Sequence, residues 1–334
     1  MNDATIHIPG KIMLTGEYAA LRGGQVVACT VDAFMTITMR QRRDGKVRVQ
    51  SDLNDETKEY PASLLPELRF EDPVLDTLAV GLQHFPVSGC DVTIDANLNP
   101  SFGIGSSSAL RLGILQGLAC LTPATDKNAT DVARIGWQLQ RDAQPDASGY
   151  DLMTQMAGGL MLFENLRDPQ WPGPLQRLSG YETTIRRLIH PLIGGKGAPT
   201  AQVMRDTLAW IEAAALWPTI VEKSNHLTAV LLDYCKNPES QNQMRQVIKA
   251  AAALREVFAE APHFPRALAA HLREIPGFDE RWTFKTTGAG GEDALLLIGS
   301  SVDCSRALEK LQTLGWKNLP FDFSAHGLSV GPVN

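Results

Sequence analysis

The chain has 334 residues, of which 44% are hydrophobic and 20% are charged, so it is long enough for two globular domains with sizeable cores. Its net charge of −6 and isoelectric point near 5.7 argue against a nucleic-acid-binding protein, since no basic run offsets the acidic balance. The N-terminus lacks an apolar signal core, and no apolar run approaches the ~20 residues of a membrane-spanning helix. We therefore expect a monomer or homodimer without nucleic-acid or membrane partners.

Cysteine usage favours a reducing compartment. The five cysteines are scattered, their number is odd, and none forms a Cys-x-x-Cys pair. They are interpreted as buried thiols in the cytoplasm, not as disulfides or a zinc site. The positions are Cys29, Cys90, Cys120, Cys235 and Cys304.

The first motif is Pro-Gly-Lys-Ile-Met-Leu-Thr-Gly-Glu-Tyr at residues 9–18. It predicts a short strand that enters a glycine turn. Lys11 lies between glycine and apolar residues with Glu17 nearby, which is not the usual setting of a solvated charge. A lysine on the edge strand of an N-terminal hairpin is the alternative that this segment leaves open.

Alternating residues predict two half-buried strands further on, at 35–39 and 47–49. Asp44-Gly45 between them predicts the hairpin turn. Residues 51–62 are polar and are expected to form a loop.

The most informative segment is Gly-Ile-Gly-Ser-Ser-Ser-Ala at residues 103–109, between a predicted strand at 91–95 and a helical run. Glycines let the backbone approach a ligand, and serines at a helix N-terminus sit where free N–H groups and the helix dipole favour an anion. The pattern predicts a nucleotide phosphate site, although serines also cap ordinary helices. It is not a Walker loop, because no lysine follows the glycines, nor a dinucleotide motif, because Ser108 replaces the third glycine.

Two further segments stand out in the middle of the chain. Ser-Gly-Tyr-Asp at residues 148–151 carries Asp151, which by local sequence also fits a turn aspartate after glycine. The proline-rich residues 167–174 predict an exposed connection, either a mobile lid or a plain loop, and the plain loop is favoured. From Thr200, a good N-cap, the chain is expected to be mostly helical, with runs at about 218–235, 239–260 and 264–275.

The third motif is Lys-Thr-Thr-Gly-Ala-Gly-Gly-Glu-Asp at residues 285–293, between strands predicted at 281–286 and 294–298. Its glycines clear side chains from more backbone than a tight turn needs, which favours close approach by a ligand. A glycine-rich hairpin is the alternative. A helix is expected near 304–314.

Pro-Gly-Lys…Gly-Glu-Tyr, Gly-Ile-Gly-Ser-Ser-Ser-Ala and Lys-Thr-Thr-Gly-Ala-Gly-Gly occur in this order over nearly the whole chain. The arrangement resembles the GHMP kinase superfamily, which includes galactokinase, homoserine kinase, mevalonate kinase and phosphomevalonate kinase. The resemblance implies an α+β fold in two domains. Residues 1–175 would be the ATP-binding domain, similar to ribosomal protein S5 domain 2, and residues 176–334 would be ferredoxin-like. The active site is then expected between them.

The resemblance also implies roles for individual residues. A phosphoryl acceptor hydroxyl needs a carboxylate to orient it and a cation to offset charge on the transferred group, and Asp151 and Lys11 match the family's catalytic pair. ATP and Mg²⁺ are the implied cofactors, with Ser107 as the candidate magnesium ligand. The residues expected to bind the nucleotide are Gly103, Gly105, Ser106, Ser107, Ser108, Gly288, Gly290 and Gly291. Those expected to bind the acceptor are Glu17, Tyr18, Ser148, Gly149, Lys285 and Thr287.

Within the superfamily, several details resemble phosphomevalonate kinases. They are Glu17-Tyr18, the Ser-Gly-Tyr-Asp segment, Asp293 after the last glycines, and the segment at 194–200. Two details depart from the family patterns. Residues 99–102 read Asn-Pro-Ser-Phe where many phosphomevalonate kinases carry a lysine, and residues 137–141 lack the glutamate that mevalonate kinases use as a magnesium ligand.

These features predict an ATP-dependent small-molecule kinase that transfers the γ-phosphoryl group to a hydroxyl or phosphate acceptor, with phosphomevalonate as the favoured acceptor. A mevalonate kinase or sugar kinase of the same superfamily is an alternative, and so is a non-catalytic nucleotide-binding regulatory protein. Decarboxylation of diphosphomevalonate is disfavoured, because those relatives lack the Gly-Lys pair that Lys11 completes. An anionic acceptor requires a local basic pocket. Surface placement is nevertheless expected for the cations near the motifs, which are Arg22, Arg111, Arg141 and Lys196.

Overall fold

The computed structural model describes residues 3–52, 54–68, 70–98, 102–122, 128–167, 171–194, 200–292 and 294–333. The expectations that concern residues 99–101, 168–170, 195–199 and Asp293 lie outside these ranges. Within them, no helix is long and apolar enough to cross a membrane.

The described strands form two sheets. In chain order they are β1 (Ala4–Thr15), β2 (Val26–Gln41), β3 (Lys46–Ser51), β4 (Asn54–Pro61), β5 (Cys90–Ala96), β6 (Leu160–Phe163), β7 (Leu175–Arg177), β8 (Ile189–Ile193), β9 (Trp282–Thr286), β10 (Ala294–Gly299), β11 (Lys317–Asn318), β12 (Phe323–Ser324) and β13 (Ser329–Pro332). The α-helices are α1 (Pro73–His84), α2 (Ser106–Leu121), α3 (Ala129–Ala143), α4 (Tyr150–Ala157), α5 (Glu182–Leu188), α6 (Thr200–Ala213), α7 (Trp217–Lys236), α8 (Gln241–Val257), α9 (Arg266–Arg273) and α10 (Ser301–Thr313).

The first sheet has nine described strands in the order β13-β1-β2-β5-β3-β4, with β6 and β12 also paired to β2 and β7 paired to β6. All its pairs are antiparallel except β3 with β5, which are parallel. Helices α2 and α4 pack on β1 and β2 and on each other, and α1 packs on α2. Since α2 and α4 begin at the second motif and at Asp151, this layer places two of the predicted site segments side by side.

The second sheet has the described order β11-β8-β10-β9 and is antiparallel throughout. Every residue of β9 and β10 is buried, and α8 packs on both strands. The loop between β9 and β10 carries the third motif.

The strand at 91–95, the helix after Ser106 and the helices beyond Thr200 are confirmed. The hairpin expected at Asp44-Gly45 is wrong, because β5 lies between β2 and β3 in the sheet and pairs with both. The loop expected at 51–62 is wrong, since β4 begins at Asn54. Strand β4 lies at the edge of the sheet and pairs with β3 alone among the described strands. An edge strand needs no apolar alternation, so its polar sequence is typical of a loop as well. Helix α1 was not anticipated.

The α+β class is confirmed by these sheets and helices. The chain does not leave the first sheet for good after β7, because β12 pairs with β2 and β13 pairs with β1. The division into residues 1–175 and 176–334 stays a prediction.

Two glycines set the distance between α2 and the first sheet. A Cβ on Gly113 would come within 2.5 Å of Ile8 Cδ1 and 2.7 Å of Ile37 Cδ1, and one on Gly117 within 2.6 Å of Met39 Sδ. Close packing therefore favours glycine here, although each costs about 1 kcal/mol in a helix relative to alanine. This packing fixes the position of the first turn of α2.

We expect Gly113→Leu to lower the free energy of unfolding by about 1–3 kcal/mol, because close-packed interiors absorb extra volume only by straining side chains and backbone. Gln116→Leu is the matched control on the same helix, where the side chain is half-buried, and it should change stability by less than about 1 kcal/mol. Chemical denaturation followed by circular dichroism measures both. Wild-type stability in Gly113→Leu would contradict the packing argument.

Candidate functional site

The glycine-serine loop of the second motif leads directly into α2. Gly103 and Gly105 have φ values of 65° and 83°, and Gly105 is the N-cap residue. Glycine has no side chain to cap the helix, so the first N–H groups of α2, at Ser106 to Ser108, remain available to a ligand. Together with the positive end of the helix dipole, they form a setting that favours an anion.

Lys11 lies against this loop. A Cβ on Gly105 would come within 2.7 Å of Lys11 Cε, and the left-handed φ is itself one that glycine adopts without strain. The backbone N–H of Lys11 also donates to the carbonyl of Ile104 at 2.8 Å. Only 7% of Lys11 is exposed, so its charge is confined to the loop and the cleft beside it.

Two serines of the loop, Ser107 and Ser108, have different surroundings. Ser108 is buried and donates its hydroxyl to the carbonyl of Gly105 at 3.0 Å. Ser107 is exposed and accepts from Arg111 Nη1 at 2.7 Å. The surface placement expected for Arg111 is therefore wrong, because its side chain is half-buried and lines the cleft. Arg111 lies one helical turn after Ser107, a spacing that could have indicated the contact.

Asp151 occupies the first turn of α4, after Gly149 as N-cap. Its Oδ1 accepts from the N–H of Leu152 at 3.0 Å, and its Oδ2 accepts from Gln140 Nε2 at 3.0 Å. Tyr150 next to it accepts from Lys11 Nζ at 2.9 Å. Burial raises the pKa of Tyr150, an effect that Lys11 opposes and Asp151 reinforces. Lys11 of β1 thus bonds to the residue that directly precedes Asp151 on α4.

Two tryptophans hold the turn before α4. The rings of Trp137 and Trp171 are stacked, with their centroids 4.7 Å apart and an interplanar angle of 6°. Trp137 Nε1 donates to the carbonyl of Ala147 at 2.8 Å, and Trp171 Nε1 to that of Ser148 at 2.9 Å. A Cβ on Gly149, where φ is 72°, would come within 2.5 Å of the Trp137 ring. The proline-rich connection is therefore anchored by Trp171, which is 1% exposed.

The third motif approaches the same cleft from the second sheet. Thr287 donates its hydroxyl to the carbonyl of Met13 at 2.6 Å, and Tyr18 donates to the carbonyl of Ala289 at 2.6 Å. Gly288 has a φ of 66°, and a Cβ there would meet nothing within 4 Å. The loop is thus held at both sides of Gly288 and open at Gly288 itself.

A cleft of about 410 Å³ joins these parts. Among its described lining residues, the charged side chains are Lys11, Arg111 and Asp151. The predicted site residues that line it are Lys11, Tyr18, Gly103, Gly105, Ser106, Ser107, Ser108, Ser148, Gly149, Asp151, Thr287 and Gly288. Across the part of the chain that the structure describes, no group of three or more His, Cys, Asp or Glu side chains could hold a metal ion.

Four predicted site residues do not line this cleft, namely Glu17, Lys285, Gly290 and Gly291. Glu17 and Lys285 form a buried ion pair, 4% and 2% exposed, and line a second, smaller cavity with Phe258 and Phe264. Burial raises the pKa of Glu17, although the charge of Lys285 opposes it. Gly290 also lines the smaller cavity, and Gly291 is buried next to it in the chain.

Sequence reasoning missed two glutamines. Gln140 contacts Asp151, and the fully buried Gln155 donates from Nε2 to the carbonyls of Pro9 and Gly105, both at 2.9 Å. Gln155 follows Asp151 by four residues on α4, so the shared helix face could have pointed to it. Its amide ties the glycine-serine loop to β1.

Known proteins resemble this chain in sequence and in fold. The family model described as "GHMP kinases N terminal domain" matches residues 73–159, from the start of α1 to the residue before β6. Mevalonate kinase of Methanocaldococcus jannaschii is 21% identical over 168 residues, covering 48% of this chain and 54% of the relative. Mevalonate kinase of Archaeoglobus fulgidus is 26% identical over 168 residues, covering 49% and 54%. The chain thus spans about half the length of these curated relatives.

Solved structures match over almost the whole chain. The mevalonate kinase of Methanococcus jannaschii superposes with a TM-score of 0.71 at 16% identity, covering 96% of this chain and 98% of that one. Streptococcus pneumoniae phosphomevalonate kinase, in complex with phosphomevalonate and AMPPNP, gives 0.73 at 15% identity, with 96% and 99% covered. Lactococcus lactis galactokinase complexed with galactose gives 0.72 at 13% identity, with 98% and 95% covered. The expected α+β fold of GHMP kinases is confirmed, whereas its division into two domains stays a prediction.

We expect Glu17→Gln to lower the free energy of unfolding by about 3–5 kcal/mol, because it leaves Lys285 buried without its counter-charge. Lys285→Met instead leaves Glu17 unpaired. The folded-state pKa of this carboxyl is then still further above its unfolded value, so the native state binds more protons and stability falls as pH rises through that interval.

Denaturant unfolding at about pH 5 and about pH 8 measures this difference, with Lys285→Met more destabilised at the higher pH. The double variant Glu17→Gln/Lys285→Met is the control, because it removes both charges. It should recover part of the lost stability and lose the pH dependence. A pH-independent loss in Lys285→Met would mean that Glu17 is not held in a desolvated position.

Proposed function

The chain belongs to the GHMP kinase superfamily, and on that premise we propose that it transfers the γ-phosphoryl group of ATP to a hydroxyl or phosphate group of a small molecule. The observation that carries the proposal is the single cleft lined by the α2 N-terminus, the open Gly288 loop, Lys11 and Asp151. An anion site, a cation and a carboxylate are the groups that phosphoryl transfer requires of a protein.

The nucleotide would bind between the two loops. The free N–H groups of Ser106 to Ser108 face its phosphates from one side, and Gly288 lets the backbone of the second sheet approach from the other. Lys11 and Arg111 outnumber Asp151 among the charged side chains of the described lining, so the local charge favours an anionic ligand despite the net charge of −6.

In the transfer step, Asp151 would accept the hydrogen bond of a hydroxyl acceptor, or of a protonated oxygen on the phosphate of phosphomevalonate, and orient the attacking oxygen toward the γ-phosphorus. The new bond joins that oxygen to phosphorus, the bond to the β–γ bridging oxygen breaks, and ADP leaves. The proton on the attacking oxygen passes to Asp151 or to solvent. Lys11 would offset the charge on the transferred group.

Magnesium fits this site when the phosphates supply most of its oxygen ligands, as is usual for nucleotide-bound Mg²⁺. The Ser107 hydroxyl lies at the exposed start of α2 and could serve as a protein ligand.

The acceptor that we propose is phosphomevalonate. Support comes from the Gly-Glu-Tyr and Ser-Gly-Tyr-Asp segments and from the similarity in fold to a phosphomevalonate kinase. Mevalonate and a sugar are the alternative acceptors, since mevalonate kinases and a galactokinase are similar to the chain as well.

We also propose that the protein works in the reducing cytoplasm. All five cysteines are free, and burial raises the pKa of Cys90, Cys235 and Cys304 to about 12, which keeps these thiols protonated. Whether it acts as a monomer or homodimer stays a prediction.

A coupled assay of ADP formation tests the function, with phosphomevalonate, mevalonate and galactose as separate acceptors. Phosphomevalonate is expected to give the highest kcat/KM. Turnover on mevalonate or galactose alone would replace the acceptor but keep the kinase. ATP binding with background ADP release on every acceptor would favour the regulatory protein and overturn the proposal.

We expect Asp151→Asn to lower kcat by about a hundredfold, because it keeps the shape of the side chain and removes its charge. ATP affinity, measured by titration calorimetry, should be retained because the nucleotide contacts lie on other loops. Lys11→Met should have a similar effect on kcat, and the double variant should lose less than the sum of the two. Asp142→Asn, an exposed position on α3, is the control. Wild-type turnover in Asp151→Asn would refute the catalytic assignment.

Ser107→Ala should reduce activity by roughly ten- to a hundredfold, the range for losing a charge-assisted hydrogen bond of about 1.5–3 kcal/mol. The loss should appear as a higher magnesium requirement in rate measurements at fixed ATP. An unchanged rate and magnesium dependence would show that the serine only begins the helix.

A further inference from the structure

The side chain of Gln140 bonds to the carboxylate of Asp151. It lies on α3, is 9% exposed, and donates from Nε2 to Asp151 Oδ2 at 3.0 Å. The N–H of Leu152 donates to Oδ1 at 3.0 Å. One donor therefore holds each oxygen, and the two come from different helices. A carboxylate held in this way cannot turn about its side-chain torsions without losing a hydrogen bond.

The position of Gln140 is itself fixed by packing. Helix α3 begins with a capping box formed by Asn128 and Asp131. One turn before Gln140, a Cβ on Gly136 would meet Leu115 and Leu152 at 3.4–3.5 Å, so α3 lies close to α2 and α4. The stacked Trp137–Trp171 pair holds the same turn of α3 against the residues before Asp151. The amide is thus presented to Asp151 by a rigid neighbour.

We infer that Gln140 is a positioning residue, which holds the Asp151 carboxylate in the orientation that meets the reacting group of the acceptor. This inference rests on the proposed kinase function. An amide suits the task because it donates a hydrogen bond without adding charge. A carboxylate in its place would put a second negative charge about 3 Å from Asp151, beside a phosphate site.

The test compares Gln140→Leu, Gln140→Glu and the control Gln138→Leu, an exposed glutamine two residues away on α3. Gln140→Leu should lower kcat by roughly ten- to a hundredfold, the range expected for one hydrogen bond to a charged group. The dissociation constant of ATP and the melting temperature should stay close to those of the control. An unchanged kcat, or equal losses in kcat, ATP affinity and melting temperature, would overturn the inference.

The pH–rate profile of Gln140→Glu separates positioning from mere packing. Among the described residues, residue 140 of α3 bonds to Asp151, and the charged or titratable groups near it include Arg111 of α2 and Tyr150 of its own helix, to which Lys11 of β1 bonds in turn. Two neighbouring carboxyls raise the pKa of one of them. At low pH a protonated Glu side chain can donate to Asp151 and restore the bond, whereas at high pH both ionise and repel. The activity relative to wild type should therefore fall as pH rises, and a pH-independent loss would count against positioning.

A crystal structure of Gln140→Leu gives a readout that does not depend on turnover. Asp151 should occupy a single side-chain rotamer in the wild type and more than one in the variant. One rotamer in both would overturn the inference even if the enzyme is a kinase. The variant could show two rotamers while the wild type turns over no acceptor. That result would support the positioning of Asp151 by Gln140 and refute the proposed kinase function.

Discussion

One edge of β1 holds the parts of the candidate site together. Strand β13 pairs with β1 from Ala4 to His7. Beyond that point, alternate residues of β1 bond to the neighbouring segments. The carbonyl of Pro9 accepts from Gln155 on α4, and the N–H of Lys11 donates to the carbonyl of Ile104 in the glycine-serine loop. The carbonyl of Met13 accepts from Thr287 in the third motif. In a strand, residues two apart direct their backbone groups to the same side. The part of β1 that lies beyond its pairing with β13 therefore holds the segments that form the cleft.

The ion pair between Glu17 and Lys285 continues this connection across the molecule. Glu17 follows β1 of the first sheet and Lys285 belongs to β9 of the second, while Tyr18 bonds to Ala289. Taking both charges out of water is costly, and a buried pair is weak evidence for stability. What it provides is a defined contact, because any displacement between the two sheets would separate two desolvated charges.

The sequence predicted the loops of the site better than their tertiary contacts. Glycines with left-handed φ values, such as Gly105 and Gly288, and a helix that starts on serine have local causes, so they can be recognised in a linear pattern. Gln140 and Gln155 have no such pattern, since their function depends on which helix packs beside which. The roles of Glu17 and Lys285 were equally hidden, because 268 residues separate them and only the fold shows that they meet.

The return of the chain to the first sheet has a consequence for biosynthesis. Strands β12 and β13 are made after the whole second sheet, yet they cover part of β2 and one edge of β1. During translation, the N-terminal sheet must therefore wait with these backbone groups unpaired until residues 323–332 leave the ribosome. Exposed strand edges are prone to aggregate. The nascent chain is thus vulnerable until these two strands have emerged and paired.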